Sequence, residues 1–254
     1  MESSIGAEPK IAFFQIPNRQ RAFPITSEGE DDHRKDKLSI LVTGGLGFIG
    51  GHVVELLSAQ LPAAKITVLD KFTYAALPAT VTRVWELDNC TVVPCDLCDA
   101  KRLSEIFAEQ AFDIILHLAA ESHVDNSYGN STDFTTANVF GTHGLLEAWR
   151  FSKHKDALKL FVHVSTDEVH GTVGPDHESH AHIKDALLLP TNPYAASKAA
   201  AEMYIHAYQS SFGLPAVITR GNNVYGPRQH TEKLIPRTFS RLLRGERPEI
   251  HGSG

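Results

Sequence analysis

Two groups of residues in this sequence have types and spacings suited to proton transfer. Tyr194 and Lys198 are four positions apart, so on a helix they share a face, and the ammonium group can lower the phenol pKa toward the working pH. Asp167 and Glu168 directly follow Thr166, and two adjacent carboxyl groups can act as acid and base if their surroundings separate their pKa values. Taken singly, the first pair also fits an amphipathic helix, and the second fits a helix cap or surface turn.

A glycine-rich segment has the spacing of a phosphate-binding turn. T-G-G-L-G-F-I-G (43–50) places Gly44, Gly47 and Gly50 between a predicted strand and a predicted helix. Glycine permits the tight turn and the close approach of backbone to a pyrophosphate, which then faces the N-terminus of the helix. Asp70 ends the next predicted strand, twenty residues past Gly50, where a carboxylate accepts ribose hydroxyls and repels a 2′-phosphate. The segment therefore predicts binding of NAD rather than NADP.

Strands and helices alternate in the part of the chain that must position these residues. Apolar runs rich in β-branched residues predict strands, and 3.6-residue periodicity predicts helices, with Asp99 capping one helix and Gly245 ending another. Such alternation predicts βαβ units in an α/β fold, a Rossmann-like doubly wound parallel sheet. The predicted strands are 38–43, 65–70, 89–95, 112–120, 158–165 and 214–220, and the predicted helices are 48–60, 100–110, 134–151, 193–212 and 232–245.

Composition excludes several classes of protein. The chain has 254 residues, 42% of them hydrophobic, with a net charge of −6. These values are ordinary for a globular protein, and the acidic balance argues against nucleic acid or an anionic membrane as a partner. We find no apolar run near the length of a membrane-spanning helix. Three cysteines are too few for a secreted framework, so we expect reduced thiols and a cytoplasmic location.

The first part of the chain lacks the hydrophobic periodicity of a helix or a strand. A dense block of mixed charge (28–37) predicts a solvated tail or linker over residues 1–37. Arg19 and Arg21 leave a mitochondrial presequence open, although several glutamates argue against it. We therefore expect residues 38–254 to form an NAD-binding Rossmann domain with the start of a substrate-binding lobe.

No metal site is predicted. Cys95 and Cys98 have C-x-x-C spacing, but no second pair accompanies them, so we interpret them as structural thiols. His117 and His163 lie in patterns typical of buried strands and are expected in the core.

Several motifs together resemble a known family. The sequence is similar to the extended short-chain dehydrogenase/reductases and, within them, to the nucleotide-sugar 4,6-dehydratases, over about residues 38–254. The acidic pair after the fifth strand is the specific part, because the related 4-epimerases share only the tyrosine, lysine and glycines. The motifs are T-G-G-L-G-F-I-G, H-L-A-A-E-S-H-V-D (117–125), S-T-D-E-V (165–169), Y-A-A-S-K (194–198) and N-N-V-Y-G-P (222–227).

The resemblance implies a reaction and a role for each residue. Hydride leaves C4 of glucose for a tightly held NAD, water is lost across C5 and C6, and hydride returns to C6. Tyr194 takes the 4-hydroxyl proton with support from Lys198, and Thr166 hydrogen-bonds the sugar. Asp167 protonates the leaving 6-hydroxyl, and Glu168 removes the C5 proton. Cofactor positions would be Gly44, Gly47, Phe48, Ile49, Gly50, Asp70, Asp96, Leu97, Ala119, Ala120, Tyr194 and Lys198, and substrate positions would be Ser122, Thr166, Asn223, Lys233 and Leu234.

The nucleotide and the activity remain open at this point. Segments 123–131 and 189–194 look more like the UDP-glucose enzymes, which slightly favours UDP-glucose over dTDP-glucose. His170 replaces a usual Tyr, and Ala137 replaces a common Thr. The sequence ends at 250–254, before an Arg and most of the small substrate lobe of the family. We therefore expect weak catalysis, with a non-catalytic NAD-binding protein or a 4-epimerase as alternatives.

The resemblance also implies a homodimer. Relatives pair through two long helices, which here would be 134–151 and 193–212. An alanine-rich face at Ala195, Ala196, Ala199 and Ala200 is expected to permit close approach of the two copies.

Overall fold

The computed structural model describes residues 38–171 and 187–248, and within them six strands form one sheet. Every pairing is parallel, and the strand order is β3-β2-β1-β4-β5-β6. This order confirms the predicted doubly wound sheet. The strands are β1 (Ser39–Thr43), β2 (Lys65–Asp70), β3 (Cys90–Pro94), β4 (Ile114–His117), β5 (Leu160–Thr166) and β6 (Ala216–Gly221).

Helices connect the strands, as the alternation predicts. The helix after the glycine segment and the long alanine-rich helix have the predicted bounds. The helices are α1 (Phe48–Gln60), α2 (Pro78–Trp85), α3 (Ala100–Glu109), α4 (Val124–Gly129), α5 (Ser131–Phe134), α6 (Gly141–Phe151), α7 (Pro193–Phe212) and α8 (Leu234–Leu243). A π-helical segment (Thr135–Phe140) joins α5 to α6, and 3₁₀ turns span Lys155–Ala157 and Asp167–His170. Residues 1–37, 172–186 and 249–254, and with them the predicted tail, lie outside the described residues.

The sheet is buried on both faces because successive side chains of β1 enter different apolar clusters. Ile40 and Val42 pack in a cluster with Val54 of α1. Leu41 packs in a second cluster that includes Leu145 of α6. Both faces of a central parallel strand are therefore covered, which explains its uninterrupted apolar sequence.

The sheet order reverses between β1 and β4, and this is where the cleft forms. Thr43, the last residue of β1, pairs with Leu69 of β2 on one side and with His117 of β4 on the other. Connections leave the carboxyl ends of β1 and β4 in opposite directions, so a crevice opens between them.

Several predicted bounds need correction. The fourth strand is Ile114–His117 rather than 112–120, because β1 ends at Thr43 and leaves the residues after His117 without a strand partner there. The final helix is Leu234–Leu243 rather than 232–245, although Gly245 does follow it with the left-handed φ of +73° that suits a helix end. The sequence patterns missed the short helices α2 and α4.

The predicted alanine-rich face of α7 does not lie on one exposed surface. Ala195 and Ala199 are buried inside the chain, whereas Ala196 is exposed and Ala200 is half-buried. Burial follows from the packing of α7 on the sheet, since Tyr194 and Lys198 lie on the same inward side. Ala195 and Ala199 are therefore unavailable to a second copy.

Two further findings concern the described residues. No helix within them is long and apolar enough to cross a membrane. Among them, no group of histidine, cysteine or acidic side chains is arranged to hold a metal ion.

Candidate active site

The glycine segment forms a tightly packed turn between β1 and α1. Gly44 has a φ of +69°, and a Cβ there would lie 2.7 Å from Cα of Ala119. A Cβ on Gly50 would lie 2.1 Å from the carbonyl oxygen of Gly44. Only glycine therefore fits at these two positions. The N-terminus of α1 carries no side-chain cap, so its N–H groups suit an anionic ligand.

Asp70 ends β2 beside this turn. Its carboxylate accepts hydrogen bonds from the backbone N–H of Leu46 at 3.0 Å and of Phe72 at 2.9 Å. Burial raises its pKa above the ordinary 3.8, and the backbone hydrogen bonds oppose that rise. The turn and the acid thus hold each other in place at the edge of the crevice.

A cavity of about 340 Å³ lies at the carboxyl end of the sheet. It collects nearly all of the residues that the motifs and the resemblance single out. Those lining it are Gly44, Gly47, Phe48, Ile49, Gly50, Asp70, Asp96, Leu97, Ala119, Ala120, Ser122, Thr166, Glu168, Tyr194, Lys198, Asn223 and Lys233. Asp167 and Leu234 are not among the lining residues, and Leu234 is 68% exposed.

Tyr194 lies in the first turn of α7, which Asn192 caps by accepting a hydrogen bond from the N–H of Ala195 at 2.8 Å. Burial raises the pKa of the phenol to about 12, and the nearby carboxylates of Glu168 and Asp167 add to the rise, while a hydrogen bond with Thr166 lowers it. The sequence-based expectation of a lowered phenol pKa is therefore wrong.

Lys198 is buried one helical turn further along α7. Its Nζ donates a hydrogen bond to the carbonyl oxygen of Val164 at 2.8 Å, so the ammonium group is held against β5. Burial lowers its pKa to about 8, and the carboxylate of Glu202 opposes this. Lys198 thus stays mostly protonated at neutral pH and places one positive charge beneath the cavity.

The acidic pair occupies the 3₁₀ turn that follows β5. Thr166 caps this turn by accepting from the N–H of Glu168 at 3.3 Å, and its hydroxyl donates to Asp167 at 3.3 Å. The carboxylate of Glu168 faces the cavity and accepts a hydrogen bond from Nδ2 of Asn192 at 2.9 Å. Asn192, which the sequence analysis missed, therefore joins the acidic turn to the start of α7. The signal for it was available, because an asparagine before proline marks a helix start.

His170 closes the same turn against a buried ion pair. Arg220 of β6 bonds the fully buried carboxylate of Glu202 through two nitrogens, with Nη2 and Oε2 2.6 Å apart. Its Nη1 lies 3.2 Å from Nε2 of His170. The histidine that replaces the usual tyrosine therefore contacts Arg220 through Nε2, whereas its buried Nδ1 has no hydrogen-bond partner among the described residues.

A second network supports the other wall of the cavity. Asn138, in the π-helical segment, accepts from the N–H of Glu121 at 2.8 Å and donates to the hydroxyl of Ser197 at 2.9 Å. Lys233 reaches across the opening and donates to the carbonyl oxygen of Ser122 at 2.9 Å. Sequence reasoning missed Asn138, because an isolated asparagine within a helical pattern carries no distinctive signal.

The predictions for cysteine and histidine can also be compared with the structure. Cys95 and Cys98 are free thiols, and burial raises the pKa of Cys95 to about 11, which makes it unreactive. His117 and His163 are buried core residues as predicted. His117 bonds to the hydroxyls of Thr43 at 2.7 Å and Thr142 at 2.8 Å.

Comparisons with known proteins match most of the chain. The family model described as GDP-mannose 4,6 dehydratase matches residues 41–254. A trifunctional UDP-glucose 4,6-dehydratase/UDP-4-keto-6-deoxy-D-glucose 3,5-epimerase/UDP-4-keto-L-rhamnose-reductase of Arabidopsis thaliana is 44% identical over 216 residues, which cover 85% of this chain and 32% of that protein. This chain thus spans about a third of the length of that curated relative.

Two solved structures show the likeness in three dimensions. One is a dTDP-glucose 4,6-dehydratase double mutant from Streptomyces venezuelae with NAD bound, 39% identical, with a TM-score of 0.76 over 85% of this chain and 65% of that one. The other is a UDP-glucuronic acid 4-epimerase from Bacillus cereus with UDP-glucuronic acid and NAD, 30% identical, with a TM-score of 0.75 over 85% of this chain and 67% of that one.

Proposed function

Because this chain belongs to the GDP-mannose 4,6 dehydratase family, we propose that it is an NAD-dependent nucleotide-sugar 4,6-dehydratase, a hydro-lyase. One observation carries the proposal. The acidic turn after β5 and the Tyr194–Lys198 pair of α7 meet in the same cavity as the glycine turn. The acidic pair supplies the acid and base that a dehydration needs and an epimerisation does not.

The residues present fit NAD. A Cβ on Gly44 or Gly50 would collide with neighbouring backbone, so the tight turn that presents the uncapped N-terminus of α1 to a pyrophosphate requires glycine. Asp70 lies where a carboxylate would accept ribose hydroxyls. When bound, NAD supplies a hydride acceptor and a positively charged nicotinamide ring.

The residues of the chain would move the protons. Tyr194 takes the proton of the 4-hydroxyl, and Lys198 supports the phenolate through its positive charge. A phenol with a pKa of about 12 is protonated at neutral pH, so Tyr194 needs further positive charge nearby before it acts as a base. Thr166 hydrogen-bonds the sugar and orders the turn that carries both acids.

The acidic pair would perform the elimination. Oxidation at C4 acidifies the proton on C5, so the carboxylate of Glu168 is a sufficient base, and its position on the cavity wall supports this role. Asp167 protonates the leaving 6-hydroxyl. Its carboxyl group accepts a hydrogen bond from the hydroxyl of Thr166, which lines the cavity.

The proposed substrate is UDP-glucose, with dTDP-glucose as the alternative. Segments 123–131 and 189–194 support the uridine nucleotide, and so does the 44% identity to a relative named for UDP-glucose. A 4-epimerase is the second candidate, favoured by the TM-score of 0.75 with a solved epimerase.

We also propose a homodimer in the cytoplasm. Exposed apolar side chains on α6 and α7, with Phe151 73% and Met203 50% exposed, support pairing through these helices. Free thiols support a reducing compartment. Sedimentation of the chain and localisation of a tagged copy test the two statements.

Mass spectrometry of the sugar nucleotides tests the function. The chain is incubated with NAD and either UDP-glucose or dTDP-glucose, and the loss of one water identifies both the reaction and the preferred substrate. We expect dehydrated product from wild type, and about 10²–10⁴-fold less product from Asp167→Asn or Glu168→Gln with NAD binding retained. Asp99→Asn, at the cap of α3, is the control. Epimerised sugar without water loss, or unchanged dehydration in Asp167→Asn and Glu168→Gln, would contradict the proposal.

A further inference from the structure

The loop between β6 and α8 forms one wall of the cavity without belonging to a strand or helix. Asn222, Asn223, Val224, Gln229 and His230 line the cavity. Most of this loop is exposed, so apolar burial does little to hold it. Something else must fix its position beside the cofactor site.

Arg228 attaches this loop to α1. Its two terminal nitrogens both bond the carboxylate of Glu55, with Nη2 and Oε2 3.1 Å apart. The Arg228 side chain is only 14% exposed and that of Glu55 24% exposed. A bidentate ion pair that is this well shielded from solvent is stronger than a pair on the exposed surface.

His52 completes the attachment from one turn earlier on α1. Nη2 of Arg228 lies 2.9 Å from Nδ1 of His52, and Nε2 of His52 lies 3.0 Å from the carbonyl oxygen of Pro227. Nη2 of Arg228 also lies 3.4 Å from Nε2, so the guanidinium group contacts both nitrogens of the ring. The imidazole therefore contacts the loop at Pro227 and at Arg228.

The backbone of the loop supports the same interpretation. Arg228 has a φ of +67°, a conformation that residues other than glycine rarely adopt. Such a conformation persists only where contacts hold it, and Glu55 and His52 supply them. The arginine is thus fixed in a strained position by its partners on α1.

The attachment lies next to the N-terminus that would face the pyrophosphate. Phe48 begins α1 and lines the cavity, and a Cβ on Gly226 would lie 3.7 Å from its ring. The Phe48 ring also contacts the ring of His52, with centroids 5.6 Å apart. Phe48, His52 and Glu55 follow one another at helical spacing, so one face of α1 contacts the loop from Gly226 to Arg228.

We propose that His52, Glu55 and Arg228 are positioning residues that hold the 222–230 loop against α1 and thereby slow the release of NAD. The three side chains act through the loop and need not touch the cofactor. The inference rests on the proposed function only for the identity of the cofactor and is independent of dehydration.

The release rate of NADH tests this inference. The purified chain is loaded with NADH and mixed rapidly with excess NAD, and the loss of nicotinamide fluorescence gives the rate. We expect Glu55→Gln and His52→Leu each to release NADH about tenfold faster. His52→Gln should stay near wild type, because an amide can also accept from Arg228 and donate to Pro227.

Two controls separate the attachment from general stability. Arg83 also lies 3.7 Å from Glu55 but is 64% exposed and outside the loop, so Arg83→Ala should leave the release rate unchanged. Glu105→Gln removes the exposed pair with Arg102 on α3 and should also have no effect. Thermal unfolding of each variant without cofactor reports any purely structural loss.

Each remaining outcome overturns the inference. Wild-type rates in folded Glu55→Gln and His52→Leu would exclude a positioning role, as would equal acceleration in the two controls. Failure of the wild-type chain to bind NADH would overturn both this inference and the proposed cofactor. Binding with an unchanged release rate in the variants would overturn this inference alone.

Discussion

The glycine-turn half (residues 38–110) and the post-sheet segment (residues 222–248) both line the cavity, but they are held in place by different forces. In the first, Leu46, Val54 and Leu103 are completely buried. In the second, α8 has no buried residue, and Leu243 is 76% exposed. The first region is packed into the two apolar clusters of the sheet, whereas the second is fixed mainly by polar contacts such as that of Lys233 with Ser122.

The difference shows how the two parts of the site depend on the rest of the protein. The apolar packing that holds the glycine turn in place does not depend on a ligand, so the turn is a preformed cradle. Polar attachments at the surface are individually weak, so the position of the post-sheet segment depends on a few bonds. We expect substitutions to be costly in the first region and mild in the second.

The largest effect is expected at the glycine turn. Gly50→Ala places a Cβ 2.1 Å from the carbonyl oxygen of Gly44, and backbone cannot yield as a side chain can. We expect a loss of about 4 kcal/mol or more in the free energy of unfolding, together with loss of NADH binding. Urea titration and NADH fluorescence measure the two effects.

Gly129→Ala is the matched control for this substitution. A Cβ there meets no atom within 4 Å, and its φ is not in the left-handed region. We expect a change within about 1 kcal/mol. Equal destabilisation by the two substitutions would show that crowding at the turn is not what requires glycine.

The next largest effect is expected when a leucine is truncated, and its cost in stability should differ between the two regions. Leu103→Ala removes a completely buried side chain of α3, and we expect a loss of about 3 kcal/mol from transfer and cavity costs. Leu243→Ala, at a position 76% exposed, should cost less than about 0.5 kcal/mol. Denaturation of both variants measures the difference, and a large cost at Leu243 would mean that α8 packs against a surface in solution.

A smaller effect at neutral pH concerns two buried histidines of the sheet. Burial lowers the pKa of His117 from 6.5 to about 3 and that of His163 well below 6.5. Each histidine binds a proton more readily when unfolded, so stability is lost as the pH falls below about 6.5, and for His117 the loss continues toward pH 3.

His163→Leu tests this dependence. Both ring nitrogens of His163 lack a hydrogen-bond partner in the described part of the chain. Leucine should therefore raise the free energy of unfolding at pH 7 by about 1–2 kcal/mol and reduce the loss of stability at acid pH. Unfolding curves between pH 4 and 7 are compared with those of His206→Gln, an exposed position on α7. If the stability of His163→Leu falls with pH as steeply as that of wild type, His163 does not contribute to the loss of stability in acid.

Local sequence signals predicted much of the fold. The predicted bounds of α7 are confirmed, and in the structure Asn192 caps the helix and Gly213, in the left-handed conformation with a φ of +70°, ends it. The cap of α3 by Asp99 was also predicted and is confirmed by the bond from the N–H of Arg102. Such signals act within a few residues, so they can be read without knowing the fold.

Properties that depend on distant residues could not be predicted in this way. The raised pKa of Tyr194 results from burial and from Glu168, which lies on another element. The burial of Ala195 and Ala199 depends on which side of α7 meets the sheet. Likewise, the contact of His170 with Arg220 joins residues fifty positions apart.

The sequence by itself determined the alternation of strands and helices, the glycine turn with Asp70, and the residues able to carry the chemistry, because each depends on residue type and short spacing. Only the tertiary structure decided that Glu168 rather than Asp167 lines the cavity, that Lys198 is held by β5, and that Arg228 ties the loop to α1. Burial, charge neighbours and hydrogen-bond partners are set by packing between elements far apart in the chain, and these decide how a side chain behaves.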